Sequence, residues 1–522
     1  MIFSPGHIIR LSRAGFVLAR AGVFSHIDPA SLPLSARLPF AIAKLIARRP
    51  QSGTADTLTE AIAQLGPSYV KLGQFLATRP DVVGAEVALR LEHLQDRMAP
   101  FPRAMAVKTI ETAFGRTIDQ MFVEFGEPVA AASIAQVHKA RVRDGKGERE
   151  VAVKVLRPGV ERRFRRDLSD MYFAAHVAEL WFPDLRRLKP IEVVDTLART
   201  VKIEMDFRLE AAAASEFAEN TRAEDEFRVP KVDWDRTERD VLTLEWIDGI
   251  PLSDVPALAA KGYDLPELSR IVIQSFLRQA MRDGFFHADM HQGNLFIDAE
   301  GRLTAVDFGI MGRLGRKERR FLAEILFGFI TRDYRRVAEV HFEAGYVPRR
   351  HAVEDFATAL RAIGEPIHAR PADQISMAKL LTLLFEVTAL FDMKTRTELV
   401  LLQKTMVVVE GVARCLDPKL DMWAAAEPVV RRWIEANLGP VGRLDDARRA
   451  GLSLAKFAAD LPSTLLRAEN IAIHLERSAE SGFELSEEAV KKIMAAHSRA
   501  LRLGHLALWL IALSLIGYFI FQ

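Results

Sequence analysis

The chain runs to 522 residues, 49% of them apolar and 27% charged, which excludes a disordered polymer and leaves room for roughly two to four folding units. A net charge of +2 excludes a global electrostatic signal for nucleic acid, so charged partners must be read from local clusters. A single cysteine, Cys415, excludes an internal disulfide, fits a reducing compartment and is expected to pack in a core.

Residues 1–50 carry seven bases (Arg10, Arg13, Arg20, Arg37, Lys44, Arg48, Arg49) against one acid, Asp28. They read either as a solvated, poorly structured terminus or as a basic amphipathic helix on anionic lipid, because Ile8, Ile9, Leu11, Phe16, Val17 and Leu18 intersperse the arginines. The continuous apolar run of a secretory signal is not found there, so the main body is expected in the cytoplasm. Pro29, Pro33 and Pro39 suggest a linker. Pro67 suits the first turn of a helix through SYVKLGQFLAT, which makes 51–110 a helical extension.

Strand signals cover about 120–156, where VAVKVL follows a small-residue loop, and apolar residues spaced by three and four make 160–225 helical. DVLTLEWIDG (240–249) reads as a strand ending in a glycine turn. Together these parts form a lobe over 111–250 with a helical insertion. A mostly helical lobe follows over 251–440, broken by short β-like pieces at NLFID and LTAVDFG. Strands ahead of a long helical part make the fold class α+β in two lobes.

Residues 441–502 are expected as a helical connector. Leu503 to Phe521 holds no formally charged side chain, and at about 1.5 Å per residue it spans roughly 28 Å, about one bilayer core. It reads as a transmembrane helix, with a buried C-terminal helix as the alternative. Lys491, Lys492, Arg499 and Arg502 precede it, which places the preceding domain in the cytoplasm and Gln522 on the far side.

The strongest chemical signal is HADMHQGN followed by VDFG. Asn294 lies five positions after Asp289, and Asp307 thirteen beyond that. This is the spacing by which a kinase-like catalytic loop puts one carboxylate near the acceptor and two metal ligands, Asn294 and Asp307, around nucleotide phosphates. Mg²⁺ takes hard oxygen ligands, so a carboxamide oxygen and a carboxylate suffice beside phosphate oxygens. His287, Asp289 and His291 could instead suggest zinc, but the spacing to Asn294 and Asp307 then goes unexplained.

Lys154 leaves the VAVK strand where a kinase lysine holds phosphates. One strand upstream, Ala130, Ala131, Ala132, Ser133, Ile134, Ala135, Gln136 and Val137 form a candidate nucleotide-covering loop. Kinases use glycines there so that the backbone can approach phosphate; alanines restrict φ and stiffen the loop. Without VAVK downstream, the same residues read as a helix start or packed small side chains.

KLGQ, AAASIAQVH, VAVK, EMDFRLE and HADMHQGN with DFG, in this order over roughly 60–315, resemble the UbiB family of atypical protein-kinase-like proteins linked to ubiquinone biosynthesis. The resemblance implies a bilobal kinase-like fold that binds ATP or ADP with Mg²⁺. It implies that Lys71, Gly73 and Gln74 lie on a helix that keeps protein substrates out of the cleft. Glu204 and Asp206 would approach Lys71 or the metal. Glu210 would pair with Lys154, and Asp206 and Glu210 would share a helix face. Glu245 and Ile247 of the inter-lobe hinge would meet the adenine edge through their backbone. Two departures stand out: Gln292 replaces the family's usual proline, and no APE-like docking motif follows DFG, where the chain is expected to run into a helix.

The expected function is a membrane-anchored kinase-like ATPase supporting ubiquinone biosynthesis, with Asp289, Lys154 and Glu210 catalytic. Its partners would be membrane lipid, polyprenylated quinone precursors and other proteins of the pathway, at the bacterial cytoplasmic membrane and without nucleic acid. A soluble small-molecule phosphotransferase and a noncatalytic nucleotide-binding scaffold are the rivals.

Overall fold

The structure is a computed structural model that describes residues 5–21, 57–77, 98–145, 147–181, 188–368 and 397–439, with isolated positions between these ranges. In chain order, α1 (Pro5–Arg20), α2 (Thr57–Leu65), α3 (Pro67–Ala77) and α4 (Arg103–Phe114) precede β1 (Glu124–Ala131), β2 (Ala135–Asp144) and β3 (Gly147–Leu156). Then come α5 (Val160–Trp181), α6 (Pro190–Glu204), α7 (Phe207–Asn220), β4 (Phe227–Arg228), β5 (Val241–Glu245) and β6 (Gly249–Pro251). The second lobe holds α8 (Leu265–Leu277), β7 (Phe285–His287), β8 (Leu295–Asp298), β9 (Leu303–Ala305), β10 (Met311–Arg313), α9 (Arg316–Ile330), α10 (Tyr334–Glu343), α11 (Val353–His368), α12 (Thr397–Leu416) and α13 (Met422–Leu438).

Alternating valines build the first sheet, an antiparallel array in the order β1-β2-β3-β5. Val151, Val153 and Val155 of β3 point inward while Lys154 faces the other side, the period-two pattern of a sheet with one covered face. Ala106 and Ile110 of α4 pack with those valines, Val142 and Val241. The expected boundary at 110 therefore falls inside α4: the helix belongs to the sheet it covers.

The helical stretch expected over 160–225 is three helices. Pro190 starts α6, and Asp206 caps α7 by accepting the Arg208 N–H at 3.2 Å. Phe164, Met171, Val194, Leu197, Val201 and Phe207 form one core, against which Tyr69, Leu72 and Phe75 of α3 pack. The N-terminal extension is thus mounted on the insertion between β3 and α7.

A disordered terminus is not what residues 5–20 form. Ile8, Ala14 and Ala19 of α1 are buried. His7 meets Asp170 of α5 at 2.5 Å, and Arg10 holds the same carboxylate through two bonds of 2.6 and 2.7 Å. Arg10 therefore serves an internal ion pair, while Ile9 on the same helix stays 65% accessible. Pro29, Pro33, Pro39, Arg37, Lys44, Arg48 and Arg49 lie outside the described residues.

In the second lobe β4-β9-β8-β6 form a small mixed sheet, and β7 pairs with β10. The chain after β10 enters α9 as expected. Cys415 is exposed rather than packed in a core. Leu402, Thr405, Val409, Val412 and Leu416 form the buried stripe of α12, and Cys415 falls off that three-and-four spacing.

The chain divides into compact units Met1–Val430 and Arg431–Gln522. Among the described residues no helix is long and apolar enough to cross a membrane; the expected connector 441–502 and transmembrane stretch 503–521 lie outside them.

Candidate active site

Lys154 is the centre of the cleft. Its Nζ donates to Glu210 Oε1 at 2.9 Å and Oε2 at 3.0 Å, and to Asp307 Oδ1 at 3.1 Å. β3 presents the lysine, the first turn of α7 the glutamate, and the turn after β9 the aspartate. Asp307 has a φ of 65°, a left-handed conformation that Asp tolerates better than most residues, and its Oδ1 accepts the Gly309 N–H at 3.3 Å.

One ammonium between two carboxylates leaves a surplus negative charge. Burial works against the Lys154 charge, but Asp307 and Glu210 outweigh it and raise its pKa. Although half of its side chain stays accessible, the protein packed around Asp307 also opposes its ionisation, yet Lys154 prevails, with Lys71 adding, and holds that carboxyl well below the usual range. Glu210 carries the imbalance: burial first, then Asp307, push it up to about 7 against the pull of Lys154. Only 6% of the Glu210 side chain is accessible against 50% of Asp307, so Asp307 is the carboxylate open to an incoming cation.

The catalytic-loop residues are held by backbone. His287 is fully buried. Its Nδ1 accepts the Asp289 N–H at 3.1 Å, which leaves Nε2–H to donate to the Val306 carbonyl, also at 3.1 Å. Both ring nitrogens are thereby engaged and burial lowers the pKa, so the ring is a neutral spacer between the loop and the DFG turn. This removes His287 from the zinc reading, and among the described residues no three His, Cys, Asp or Glu side chains converge on a metal position. Phe308 packs 5.6 Å from the His287 ring and 5.8 Å from Phe217 of α7. Asn294 donates its amide to the Asp289 carbonyl at 3.1 Å and approaches Asp289 Oδ2 at 3.4 Å, which leaves its Oδ1 as the acceptor.

The alanine-rich loop departs from expectation in part. Ala132 donates to the Ala135 carbonyl at 2.8 Å, closing a tight turn. That turn tucks Ser133, Ile134, Ala135 and Gln136 into buried positions, Ile134 within the core around Phe164. The side chains of these four face the protein. Gln136 bonds both backbone groups of Phe101, at 2.9 and 3.2 Å. Ala130, Ala131, Ala132 and Val137 keep accessible surface. At the hinge the Glu245 N–H is taken by the Lys231 carbonyl at 2.8 Å, and its side chain by Arg228 at 2.6 Å. Ile247 follows β5, between that strand and β6.

The α3 helix brings Lys71 to Glu204 at 2.8 Å, with 13% and 10% of the two side chains accessible. Gln74 reaches the Leu94 carbonyl at 3.5 Å. A Cβ on Gly73 would come within 2.5 Å of Leu94 Cδ1, so glycine allows that close approach. Asp206 does not join them. As the cap of α7 it lies outside the helix whose face it was expected to share with Glu210, and its carboxylate pairs with Arg208 at 2.8 Å.

Sequence reasoning missed Thr405, whose hydroxyl on α12 lies 3.1 Å from the Ala288 carbonyl, between His287 and Asp289. A threonine inside a helix carries no signal of such a contact.

A family model described as the ABC1 atypical kinase-like domain matches residues 93–341, and one described as the UbiB helical domain matches 360–421. The chain is similar to the probable protein kinase UbiB of Marinobacter nauticus, at 37% identity over 514 residues, 97% of this chain and 93% of the relative. The probable protein kinase UbiB of Xylella fastidiosa shares 38% identity over 87% of this chain and 83% of its own. For that of Cellvibrio japonicus the figures are 40%, 79% and 75%. A solved Mycobacterium tuberculosis structure in complex with erythromycin is 25% identical, covers 75% of this chain and 98% of its own, and has a TM-score of 0.48.

Proposed function

The chain belongs to the UbiB family of ABC1 atypical kinase-like proteins, and from that premise we propose that it is a membrane-anchored Mg-nucleotide ATPase supporting ubiquinone biosynthesis. It acts on lipid-soluble quinone precursors, or on the enzymes that process them, rather than on protein substrates at large. The single observation that carries this reading is the three-way contact of Lys154 with Glu210 and Asp307.

The residues fit nucleotide and metal. Asn294 and Asp307 offer hard oxygens, and the raised pKa of Glu210 marks a site with negative charge to spare for a cation. Asn294 and Asp307 would hold Mg²⁺, which when bound would supply positive charge beside the phosphates. Lys154 holds phosphate oxygens, Glu210 fixes Lys154, and Asp289 orients an attacking water or hydroxyl, where positioning dominates the barrier. Lys71 stands over the same cleft through Glu204, which disfavours entry of a polypeptide. The apolar stretch 503–521 supplies the anchor and faces the catalytic domain to the cytoplasm.

Quinone intermediates profiled in a deletion strain, complemented by wild type, Lys71→Ala or Asp307→Asn, test the assignment. Wild type is expected to restore quinone and Asp307→Asn to fail. Unchanged quinones in the deletion strain would sink the pathway assignment, and full rescue by a hydrolysis-dead Asp307→Asn would leave a scaffold. Deleting 503–522 is expected to move the protein into the soluble fraction.

A further inference from the structure

The catalytic loop holds two histidines in opposite ways. His287 is buried with both ring nitrogens engaged. His291, two positions past Asp289, keeps 49% of its side chain accessible. Its backbone is pinned on both sides: the His291 N–H donates to the Asp289 carbonyl, and the His291 carbonyl accepts the Asn294 N–H, each at 2.9 Å. The ring is pinned as well. Nδ1 accepts the Gly293 N–H at 3.0 Å, and a Cβ at position 293 would stand 3.0 Å from ring atom Cε1, so glycine gives the ring its room.

That bond fixes the tautomer. A neutral imidazole holds one proton, and the nitrogen that accepts cannot carry it. The His291 proton is therefore on Nε2, which lies 3.6 Å from Asp289 Oδ2. This is too long for a direct hydrogen bond, so Nε2–H is a donor held beside the carboxylate rather than consumed by it. The Asn294 amide approaches the same Oδ2 at 3.4 Å, which leaves Asp289 Oδ1 to take a proton.

Resting on the nucleotide-site reading above, we infer that His291 is a further catalytic residue, whose Nε2–H binds an oxygen of the phosphoryl group in transfer. In that step the acceptor oxygen bonds to the terminal phosphorus and gives its proton to Asp289. The bond from that phosphorus to the bridging oxygen breaks, and its electron pair leaves with the nucleoside diphosphate. An acceptor oxygen bound to Asp289 stands beside His291 Nε2, and the phosphorus it attacks brings its own oxygens there. The imidazole keeps its proton throughout, so it serves as a preorganised donor and not as an acid.

The two ring nitrogens can be replaced one at a time. An asparagine amide overlays Nδ1 and a glutamine amide overlays Nε2. His291→Asn thus keeps a partner for the Gly293 N–H without the distal donor, and His291→Gln keeps the distal donor without that partner. Hydrolysis of ATP, and affinities for ADP and for the non-hydrolysable analogue AMPPNP, are measured on the full chain in detergent. In His291→Asn hydrolysis is expected to fall about a hundredfold, the scale of one lost donor to developing charge. Affinity for AMPPNP should fall about tenfold, as for one hydrogen bond to a charged group, while that for ADP stays within about twofold. His291→Gln should recover most of the hydrolysis and of the AMPPNP affinity. If His291 only shapes the loop, the order reverses: His291→Asn matches wild type, and His291→Gln weakens both nucleotides alike. That result, or an equal loss of ADP and AMPPNP in His291→Asn, overturns the inference. Should His291→Asn not fold, His291→Phe, which keeps a ring and removes both nitrogens, must give the same selective loss of AMPPNP. If wild type binds neither nucleotide, the nucleotide-site reading itself fails and the inference falls with it.

Discussion

Replacing Lys71 and Glu204, singly and together, tests whether the helix over the cleft is held by charge. The pair is 2.8 Å apart with 13% and 10% of its side chains accessible. At an effective dielectric of about 20, unit charges that close attract by roughly 6 kcal/mol, but withdrawing each from water costs several kcal/mol. The net coupling should be about 2–3 kcal/mol, against roughly 0–1 kcal/mol for a surface pair. Lys71→Met and Glu204→Gln are each expected to destabilise by about 3 kcal/mol, because each strands its partner, and the double variant by no more than either one. Urea unfolding of the four proteins at low and high KCl measures this. Since a buried pair is screened little, the coupling should survive high salt. Additive losses, or a coupling that vanishes with salt, would refute the reasoning.

Glu210, raised from 4.5 to about 7, binds its proton more tightly folded than unfolded. Its contribution to stability is fully present below about 4.5 and is lost as pH rises through about 7, at up to about 1.4 kcal/mol per pH unit. Wild type should lose stability relative to Glu210→Gln over that window in urea titrations; a constant difference contradicts the shift. Thr405→Val keeps the shape of α12 but removes the hydroxyl whose one proton is shared between the Leu401 carbonyl at 2.8 Å and the Ala288 carbonyl at 3.1 Å, at a cost of about 0.5–1.5 kcal/mol. Because the Ala288 carbonyl precedes Asp289, turnover should fall further than nucleotide affinity, which paired hydrolysis and binding measurements separate. Cys415, exposed on α12, should alkylate once per chain without denaturant, as mass spectrometry of the native protein would show.

The parts of the site legible in the sequence are those where spacing constrains geometry. Lys154 and Asp307 stand 153 positions apart, yet VAVK and HADMHQGN with DFG placed both at one point; Glu210 was added by the family resemblance of EMDFRLE and not by spacing. Alternating valines marked the sheet for the same reason: period two leaves one covered face. Asp206 was misplaced because capping depends on where a helix begins, and a shift of one residue turns a helical acid into a cap. Gln136 was misplaced because the turn after Ala132 tucks its side chain toward Phe101, a partner with no sequence signature. Asp170 with Arg10 and Thr405 with Ala288 meet across 160 and 117 positions, contacts that only packing decides.

One joint governs both lysines of the cleft. Glu204 ends α6 and Asp206 caps α7, so a single residue, Met205, separates the helix end that binds Lys71 from the cap of the helix that carries Glu210. Met205 and Phe207 are buried in the core that also receives Tyr69, Leu72 and Phe75 of α3. A displacement of α7 that draws Glu210 away from Lys154 must therefore move Glu204 against Lys71 or tear that core. Interiors packed this tightly shift between discrete arrangements rather than bend. The Lys71–Glu204 pair and the Lys154–Glu210 pair thus share one buried support, and Lys71 also lowers the pKa of Asp307, which accepts from Lys154 at 3.1 Å, so a change at Lys71 should be felt at Lys154.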